Sequence, residues 1–280
     1  MPAAAVFASG SSALITGGAS GVGLAIAKLC RSKGMNILLV DVNAEALQTA
    51  KKQLVGEDDA GSDVVTAAAD VSNAHAWTEL SKTATSAFST IELLVLNAGV
   101  GIRGTWGDDE YFSKTNLFGV VYGINAFLPV VQQASETRPT AIVITGSKQG
   151  ITNPPGNPAY NASKSAVKTL AEHLSWDLRG TNTSVHLLVP GWTFTGMTRG
   201  GNTEKPAGAW APQQVAEYLY RKMQDDKFYV ICPDNDVSEE TDKKRMLWSV
   251  GDIVNERPPL TRWRDEWKRE AEETMAKTNL

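Results

Sequence analysis

Residues 13–23 read Ala13-Leu14-Ile15-Thr16-Gly17-Gly18-Ala19-Ser20-Gly21-Val22-Gly23. A short apolar run ends in glycines. The glycines open onto residues 21–33, where Leu24, Ala27 and Cys30 recur at helical-turn spacing. The pattern is a strand, a tight turn and a helix in succession. Glycine tolerates positive φ in such a turn and lets backbone N–H groups approach a phosphate. The helix N-terminus adds unpaired donors and partial positive charge. The spacing, set by Gly17, Gly21 and Gly23, is Gly-x-x-x-Gly-x-Gly rather than the commoner Gly-x-Gly-x-x-Gly. Gly17, Ser20, Gly21, Val22 and Gly23 are therefore candidate phosphate-binding positions. A glycine turn without a ligand is the competing reading.

The alternation continues outward from this turn. Strand-like runs follow at 36–41, 64–69, 91–97, 140–145, 184–190 and 228–232. Helical patterns lie at 44–54, 73–88, 108–133, 159–179 and 212–224, the last with Pro212 at its start. Continuous apolar strands separated by helices predict an α/β protein with a parallel sheet of about seven strands and helices on both faces. Residues 1–232 are expected to form one domain. Residues 233–280 are charged, carry Trp248, Trp263 and Trp267, and are broken at Pro258-Pro259. They predict one or two helices packed on that domain, with a partly mobile tail as the alternative. Within 262–272, Trp263 and Trp267 are expected to form the packing face of a helix.

Composition narrows the classes. Of 280 residues, 42% are hydrophobic and 21% charged, enough apolar material for a core. A net charge of −4 leaves no basic footprint for nucleic acid. No uninterrupted apolar run reaches the roughly 18–20 residues of a membrane span. Residues 1–12 lack a basic stretch followed by an apolar one, so no secretory signal is expected. Cys30 and Cys232 read as reduced thiols, which together point to a cytoplasmic protein. His75, His173 and His186 lack metal-ligand spacing, and the acidic stretch 234–242 lacks a calcium-loop pattern, so no metal is predicted.

Two further sets of residues carry chemistry. Asp41 ends the second strand, where a carboxylate accepts hydrogen bonds from an adenosine ribose and repels a 2′-phosphate. Val42, Asn43, Ala19 and Ser20 supply no cation beside it, which favours NAD(H) over NADP(H). A helix-capping or turn aspartate is the other reading. Tyr160 and Lys164 lie four apart in a helical segment and share a face. A cation near a phenol favours the phenolate, which suits the tyrosine to proton transfer near neutral pH. Ser147 ends the fifth strand, where residues of a parallel sheet line the ligand crevice.

With these residues in order, the chain resembles the short-chain dehydrogenases/reductases over about residues 10–232. The resemblance rests on 16–23, Asp70-Val71, Asn97-Ala98-Gly99, Asn116, Ser147, Tyr160, Lys164, and Pro190-Gly191 followed by Thr195. It implies a Rossmann-type doubly wound fold. It implies Tyr160 as general acid or base, and Ser147 as a donor to the substrate oxygen. Lys164 is implied to bind the nicotinamide ribose and lower the Tyr160 pKa, and Asn116 to place a water in a proton relay. Asp70 and Val71 are implied to border the adenine, and Asn97, Ala98 and Gly99 to run along the cofactor. Pro190, Gly191, Thr193 and Thr195 are implied to flank the nicotinamide end. Asn97 and Asn116 stand closer than is usual in the family, so the loop between them is compact, with Asn125 as the alternative to Asn116.

The resemblance also makes the loop after the sixth strand a cover for the substrate. Trp192, Phe194, Met197 and Trp210 are candidate apolar walls, or pins that hold the loop to the core. Lys148 and Gln149 are candidate contacts for a polar substituent, or solvent-facing. Arg103 and Arg199 are candidate contacts for an anionic group. The expected function is NAD(H)-dependent interconversion of a secondary alcohol and a ketone of medium size, apolar or cyclic, by a homodimer or homotetramer. The alternatives are the same fold in epimerase or lyase chemistry, or a non-catalytic dinucleotide sensor.

Overall fold

Ser12–Thr16 is buried at every position and forms the first strand, β1, of the computed structural model. The structure describes residues 3–55, 63–101, 106 and 114–280. Helix α1 (Gly21–Ser32) follows the glycine turn and leads to β2 (Asn36–Asp41). Then come α2 (Ala44–Leu54), β3 (Val64–Ala68), α3 (Ala76–Ala87) and β4 (Leu93–Leu96). The second half runs α4 (Lys114–Ser135), β5 (Thr140–Thr145), α5 (Lys148–Thr152), α6 (Pro158–Asp177) and β6 (Thr183–Val189). It closes with α7 (Pro212–Gln224), β7 (Tyr229–Ile231), α8 (Glu239–Val254) and α9 (Asp265–Lys277).

All seven strands are parallel, in the order β3-β2-β1-β4-β5-β6-β7. The order reverses between β1 and β4, and a doubly wound sheet binds its ligands outside the carboxyl ends of the strands at that switch. One face is covered by α1, α2 and α7, with Ile26, Leu47, Val215 and Leu219 buried against Ile15, Leu39 and Val95. The other is covered by α3, α4 and α6, with Trp77, Phe127, Val131 and Val167 against Leu94, Ile142 and Leu187. The strand alternation visible in the sequence sorts these side chains to opposite faces.

Local signals explain the boundaries. Asn43 caps α2 through the N–H of Ala46, and Asn157 caps α6 through the N–H of Tyr160 with Pro158 in the first turn. Ser238 caps α8, whose first turn holds Glu239, Glu240 and Asp242. Helix α3 starts later than the expected residue 73, because Asp70 and Asn73 turn the chain by accepting the N–H groups of Ser72 and His75. The short helix α5, a single turn and a half after Ser147, is not foreshadowed by any periodicity. The start of the helix expected at 108 and the loop residue Arg103 lie outside the described residues.

Helix α4 is long and apolar enough to span a membrane by length and composition, although its run is interrupted. Here Asn116, Val120, Phe127 and Val131 are buried on one side of it. Helices α8 and α9 account for the tryptophan-rich end. Trp248 is buried and donates to the Thr261 hydroxyl at 2.8 Å, and Asp252 accepts the Thr261 N–H at 3.1 Å. Arg257 pairs with Asp252 at 3.0 Å and lies 3.8 Å from the centroid of the Trp248 ring. The expected helix over 262–272 is corrected. Trp263 belongs to a 3-10 turn, Thr261–Trp263, α9 begins after it, and Ala271 rather than a tryptophan is its buried residue.

Candidate active site

The carboxyl ends of β1 and β4 are tied by one small side chain, and Asn97 extends the tie to β5. The Thr16 hydroxyl donates to the Val95 carbonyl at 3.3 Å and accepts the N–H groups of Asn97 and Ala98 at 2.9 and 3.0 Å. The Asn97 amide donates to the Thr16 carbonyl at 3.1 Å, and its oxygen accepts the Thr145 hydroxyl at 3.2 Å. Asn97 and Ala98 therefore form the rim of the glycine turn. A Cβ on Gly17 would stand 3.0 Å from Ala98 and from the Asn97 amide nitrogen. A Cβ on Gly23 would stand 2.2 Å from the Gly17 carbonyl oxygen, closer than any side chain can sit.

That close packing brings the start of α1 to the crevice. Ser20 occupies the capping position, yet its side chain makes no capping hydrogen bond. The first-turn N–H groups at Gly21, Val22 and Gly23 thus lack a capping side chain, as an anion-binding helix end requires. The Thr195 methyl group lies 3.2 Å from where a Gly21 Cβ would be, so the loop after β6 reaches the turn. Asp41 stands beside it and accepts the N–H groups of Ala19 at 3.2 Å and Asn43 at 3.1 Å. Asp41 is not the cap of α2; Asn43 is. Asp70 turns the chain after β3, and the buried Val71 packs on Gly119 while its carbonyl accepts the Trp77 indole N–H at 3.0 Å. A glycine cradle, an uncapped helix start and a flanking carboxylate fit a dinucleotide.

Ser147, Tyr160 and Lys164 converge across the crevice. The Ser147 oxygen caps α5 by accepting the Gln149 N–H at 3.2 Å, and its side chain hydrogen-bonds Tyr160. Gly150 permits this approach: a Cβ there would lie 2.6 Å from the Lys164 backbone. Tyr160 sits in the first turn of α6. Lys164 follows one turn later, 4% exposed, its ammonium 5.9 Å from the centre of the Tyr160 ring and donating to the Thr145 carbonyl at 2.8 Å. Gly99 marks the meeting point: a Cβ there would lie 3.2 Å from the Asn116 oxygen and 3.6 Å from the Lys164 nitrogen.

Burial dominates the charges of this group. It pushes the Lys164 ammonium down to about 8. It holds the Tyr160 phenol above its usual 10, against the opposing pull of the Ser147 hydrogen bond. The expected lowering of Tyr160 by Lys164 is therefore not the net effect in the protein alone. Asn116 is fully buried, and its amide clamps Val100, accepting the N–H at 2.8 Å and donating to the C=O at 3.1 Å. Its side chain thus shapes the loop after β4.

Two candidate substrate contacts are corrected. Lys148 is largely buried and its charge is engaged within the protein. Its ammonium lies between Asp234 at 3.1 Å and the fully buried Asp242 at 2.8 Å. Asp242 also pairs with Arg245 at 3.2 Å, and Asp234 accepts the Trp192 N–H at 3.0 Å. Gly191 passes over this cluster, where a Cβ would meet Lys148 and Asp234 at 2.8–2.9 Å. Trp210 packs on the core and against Tyr218, with ring centres 5.7 Å apart, so it pins the loop. The backbone agrees: Trp210 donates to the Trp192 carbonyl and Phe194 to that of Trp210, both at 2.8 Å. Thr193 is buried and donates to the Gly191 carbonyl at 3.1 Å. Trp192 and Met197 are exposed and Phe194 half-buried, so these three remain as candidate walls. Pro190 lies half-buried just after β6. Arg199 is exposed and donates to the Asn202 carbonyl, turning its own loop. Sequence reasoning passed over Asp234 and Asp242, and the acidic run around them was the signal available. Among the described residues no cluster suits a metal.

Comparison with known proteins agrees with this geometry. The model of the short chain dehydrogenase family matches residues 11–206. A 1-deoxy-11-beta-hydroxypentalenate dehydrogenase from Streptomyces avermitilis is 31% identical over 235 residues, 79% of this chain and 83% of its own. A 3-oxoacyl-(acyl-carrier-protein) reductase from Chlamydia muridarum is 32% identical over 193 residues, covering 67% of this chain and 76% of its own. The crystal structure of a short-chain dehydrogenase/reductase from Burkholderia phymatum in complex with NAD superposes with a TM-score of 0.78 at 29% identity, over 90% of this chain and 97% of that one. The chain belongs to the short-chain dehydrogenase/reductase family. It is an NAD(P)-dependent oxidoreductase of the class that acts on CH–OH and C=O groups.

Two outcomes follow from the buried charges. Lys148→Met leaves Asp242 and Asp234 short of a cation in the interior and is expected to cost about 3–5 kcal/mol in urea unfolding. A loss below about 1 kcal/mol would show that the cluster is not a structural tie. For Lys164, the fall from 10.5 to about 8 corresponds to about 3 kcal/mol of cost to the charged form at neutral pH. Part of that returns as the hydrogen bond to Thr145, worth about 1 kcal/mol. Lys164→Met is therefore expected to unfold at higher denaturant than the wild type at pH 7. Its advantage should shrink between pH 8 and 10.5, as the wild-type lysine sheds its proton in the folded state first. A variant less stable at pH 7 and equally so at pH 10 would contradict this.

Proposed function

We propose that the protein interconverts a secondary alcohol and a ketone with NAD(H) preferred over NADP(H). The observation that carries this reading is the convergence of Ser147, Tyr160 and Lys164 beside Gly99, opposite an uncapped helix start flanked by Asp41. When bound, the nicotinamide supplies or accepts the hydride. Gly17, Ser20, Gly21, Val22 and Gly23 hold the pyrophosphate through backbone N–H groups, with Thr195 closing over them. Asp41 accepts from the adenosine ribose and disfavours a 2′-phosphate. Asp70 and Val71 border the adenine, and Asn97, Ala98 and Gly99 line the path to the nicotinamide. Pro190, Gly191 and Thr193 flank its far end.

Tyr160 gives its proton to the ketone oxygen, or takes one from the alcohol. Ser147 donates a hydrogen bond to that same oxygen and fixes its position. Its backbone-bound geometry at the start of α5 keeps that donor in place. Lys164 holds the nicotinamide ribose and presents positive charge to Tyr160 as the phenol loses its proton. A phenol that rests above 10 is fully protonated at neutral pH, the state ketone reduction requires. Asn116 holds Val100 and places the water that extends the proton relay.

The substrate reading is a medium-sized, largely apolar ketone or alcohol against Trp192, Phe194 and Met197. Gln149 adds one polar contact. Its side-chain oxygen is buried without a hydrogen-bond partner, so a hydroxyl or N–H on the substrate would satisfy it. The Streptomyces and Burkholderia relatives, by their names, act on a hydroxylated compound and bind NAD. Residues 1–232 and 233–280 work as one unit, since the Lys148 ion pairs join them. Exposed Phe118 on α4 and Trp176 on α6 suit a contact between copies of this chain.

Fluorescence titration with NADH and NADPH tests the cofactor and the acid together. The wild type is expected to bind NADH at least tenfold tighter than NADPH, with the gap closing in Asp41→Ala. Tyr160→Phe is expected to keep NADH binding within a factor of a few and to lose turnover by 10³-fold or more on any alcohol the wild type oxidises. Equal preference in the wild type refutes the Asp41 role, and an active Tyr160→Phe refutes the acid. Light scattering is expected to give at least twice the 30.1 kDa of one chain; a 30.1 kDa particle refutes the oligomer.

A further inference from the structure

A second cleft, of about 400 Å³, lies between α8, the 3-10 turn Thr261–Trp263 and α9. None of the residues that line it belongs to the candidate active site. Its volume falls within the range of small-molecule pockets. Its walls are cationic: Lys244, Arg245, Arg262 and Lys268 face one acid, Glu272. Two of these cations are already answered, Lys244 by Glu240 at 2.9 Å and Arg245 by Asp242 at 3.2 Å. Arg262 and Lys268 have no acid within ion-pair distance among the described residues.

Arg262 is the unusual member. Its Nε is buried and makes no hydrogen bond. Its guanidinium stacks on Trp263 with 3.9 Å to the ring centre, and the Arg245 charge repels it. Burial and that repulsion hold it down to about 10, against a weaker pull from Asp242. A partly buried guanidinium whose Nε has no acceptor gains from an anion that supplies one. Carboxylates match its fork with paired, charge-assisted hydrogen bonds. The cleft also has apolar lining, from Trp263, Ala271, Met275 and Ala276. Glu272 at the same cleft lowers its net positive charge, so the apolar side is what favours an organic anion over an inorganic one.

We propose that this cleft binds a small organic monocarboxylate, its head on Arg262 and Lys268 and its apolar body against Trp263 and Met275. The site is separate from the hydride-transfer reading and stands or falls without it. Octanoate and inorganic phosphate, titrated into the full chain by isothermal calorimetry, test it. Octanoate is expected to saturate one site per chain and to bind at least tenfold tighter than phosphate. Arg262→Gln and Lys268→Gln are each expected to weaken octanoate at least fivefold, and Tyr160→Phe to leave it unchanged. Lys268 is exposed, so its variant decides the matter if Arg262→Gln fails to fold. Absence of saturable octanoate binding, phosphate binding as tight as octanoate, or octanoate affinity unchanged in Lys268→Gln would overturn the proposal.

Discussion

The Thr16 hydroxyl is the joint on which the rest of the site depends. It stands where the strand order reverses, and its three hydrogen bonds bind the last residue of β1 to the chain leaving β4. Through Asn97 the same joint reaches Thr145 at the end of β5. The Thr145 carbonyl in turn holds the Lys164 ammonium. A single small side chain thus sets the spacing between the glycine turn and the Tyr160 helix. The glycines then matter for what they leave out. Gly17 and Gly23 bring α1 against this joint, and Gly99 and Gly150 let α4 and α6 close on it.

Much of this was legible in the residue pattern, because strand and helix order follow from local periodicity. β2, α2, β5 and α7 run where the apolar spacing puts them, and Asn43, Asn157 and Pro158 announce helix starts. The glycine turn, Ser147 and Tyr160 sit at element boundaries that the sequence marks, and Lys164 follows one helical turn after Tyr160. What stayed hidden depends on partners distant along the chain. Lys148 looks like a free cation beside Ser147 until Asp234 and Asp242 fold back on it. Trp210 looks like a pocket wall until Tyr218 and the core claim it. Asn116 gives no sign in the sequence that its amide also closes on Val100.

Electrostatics in the site were misjudged for a related reason. Spacing shows that Lys164 faces Tyr160, but not how deeply both are buried. In the protein alone desolvation governs both groups, and it acts in opposite directions on a phenol and an ammonium. Tyr160 rests as an acid with its proton, while Lys164 carries a charge that its surroundings tolerate poorly. Among the described residues the Lys164 ammonium donates to the Thr145 carbonyl alone, which leaves two ammonium hydrogens for other oxygens. Ribose hydroxyls are oxygens of the right kind.

Asp234 illustrates how the segment beyond β7 is woven into the core. One carboxylate takes Lys148 from the serine turn, the Trp192 N–H from the substrate loop and the N–H groups of Asp236 and Val237 from its own turn. Asp242 takes the other side of the same lysine. Exchanging the chain's end as a module therefore breaks these contacts. A chimera that imports a relative's tail also imports whatever stands at the positions of Asp234 and Asp242. Residue 148 would have to travel with it for the ion pairs to survive.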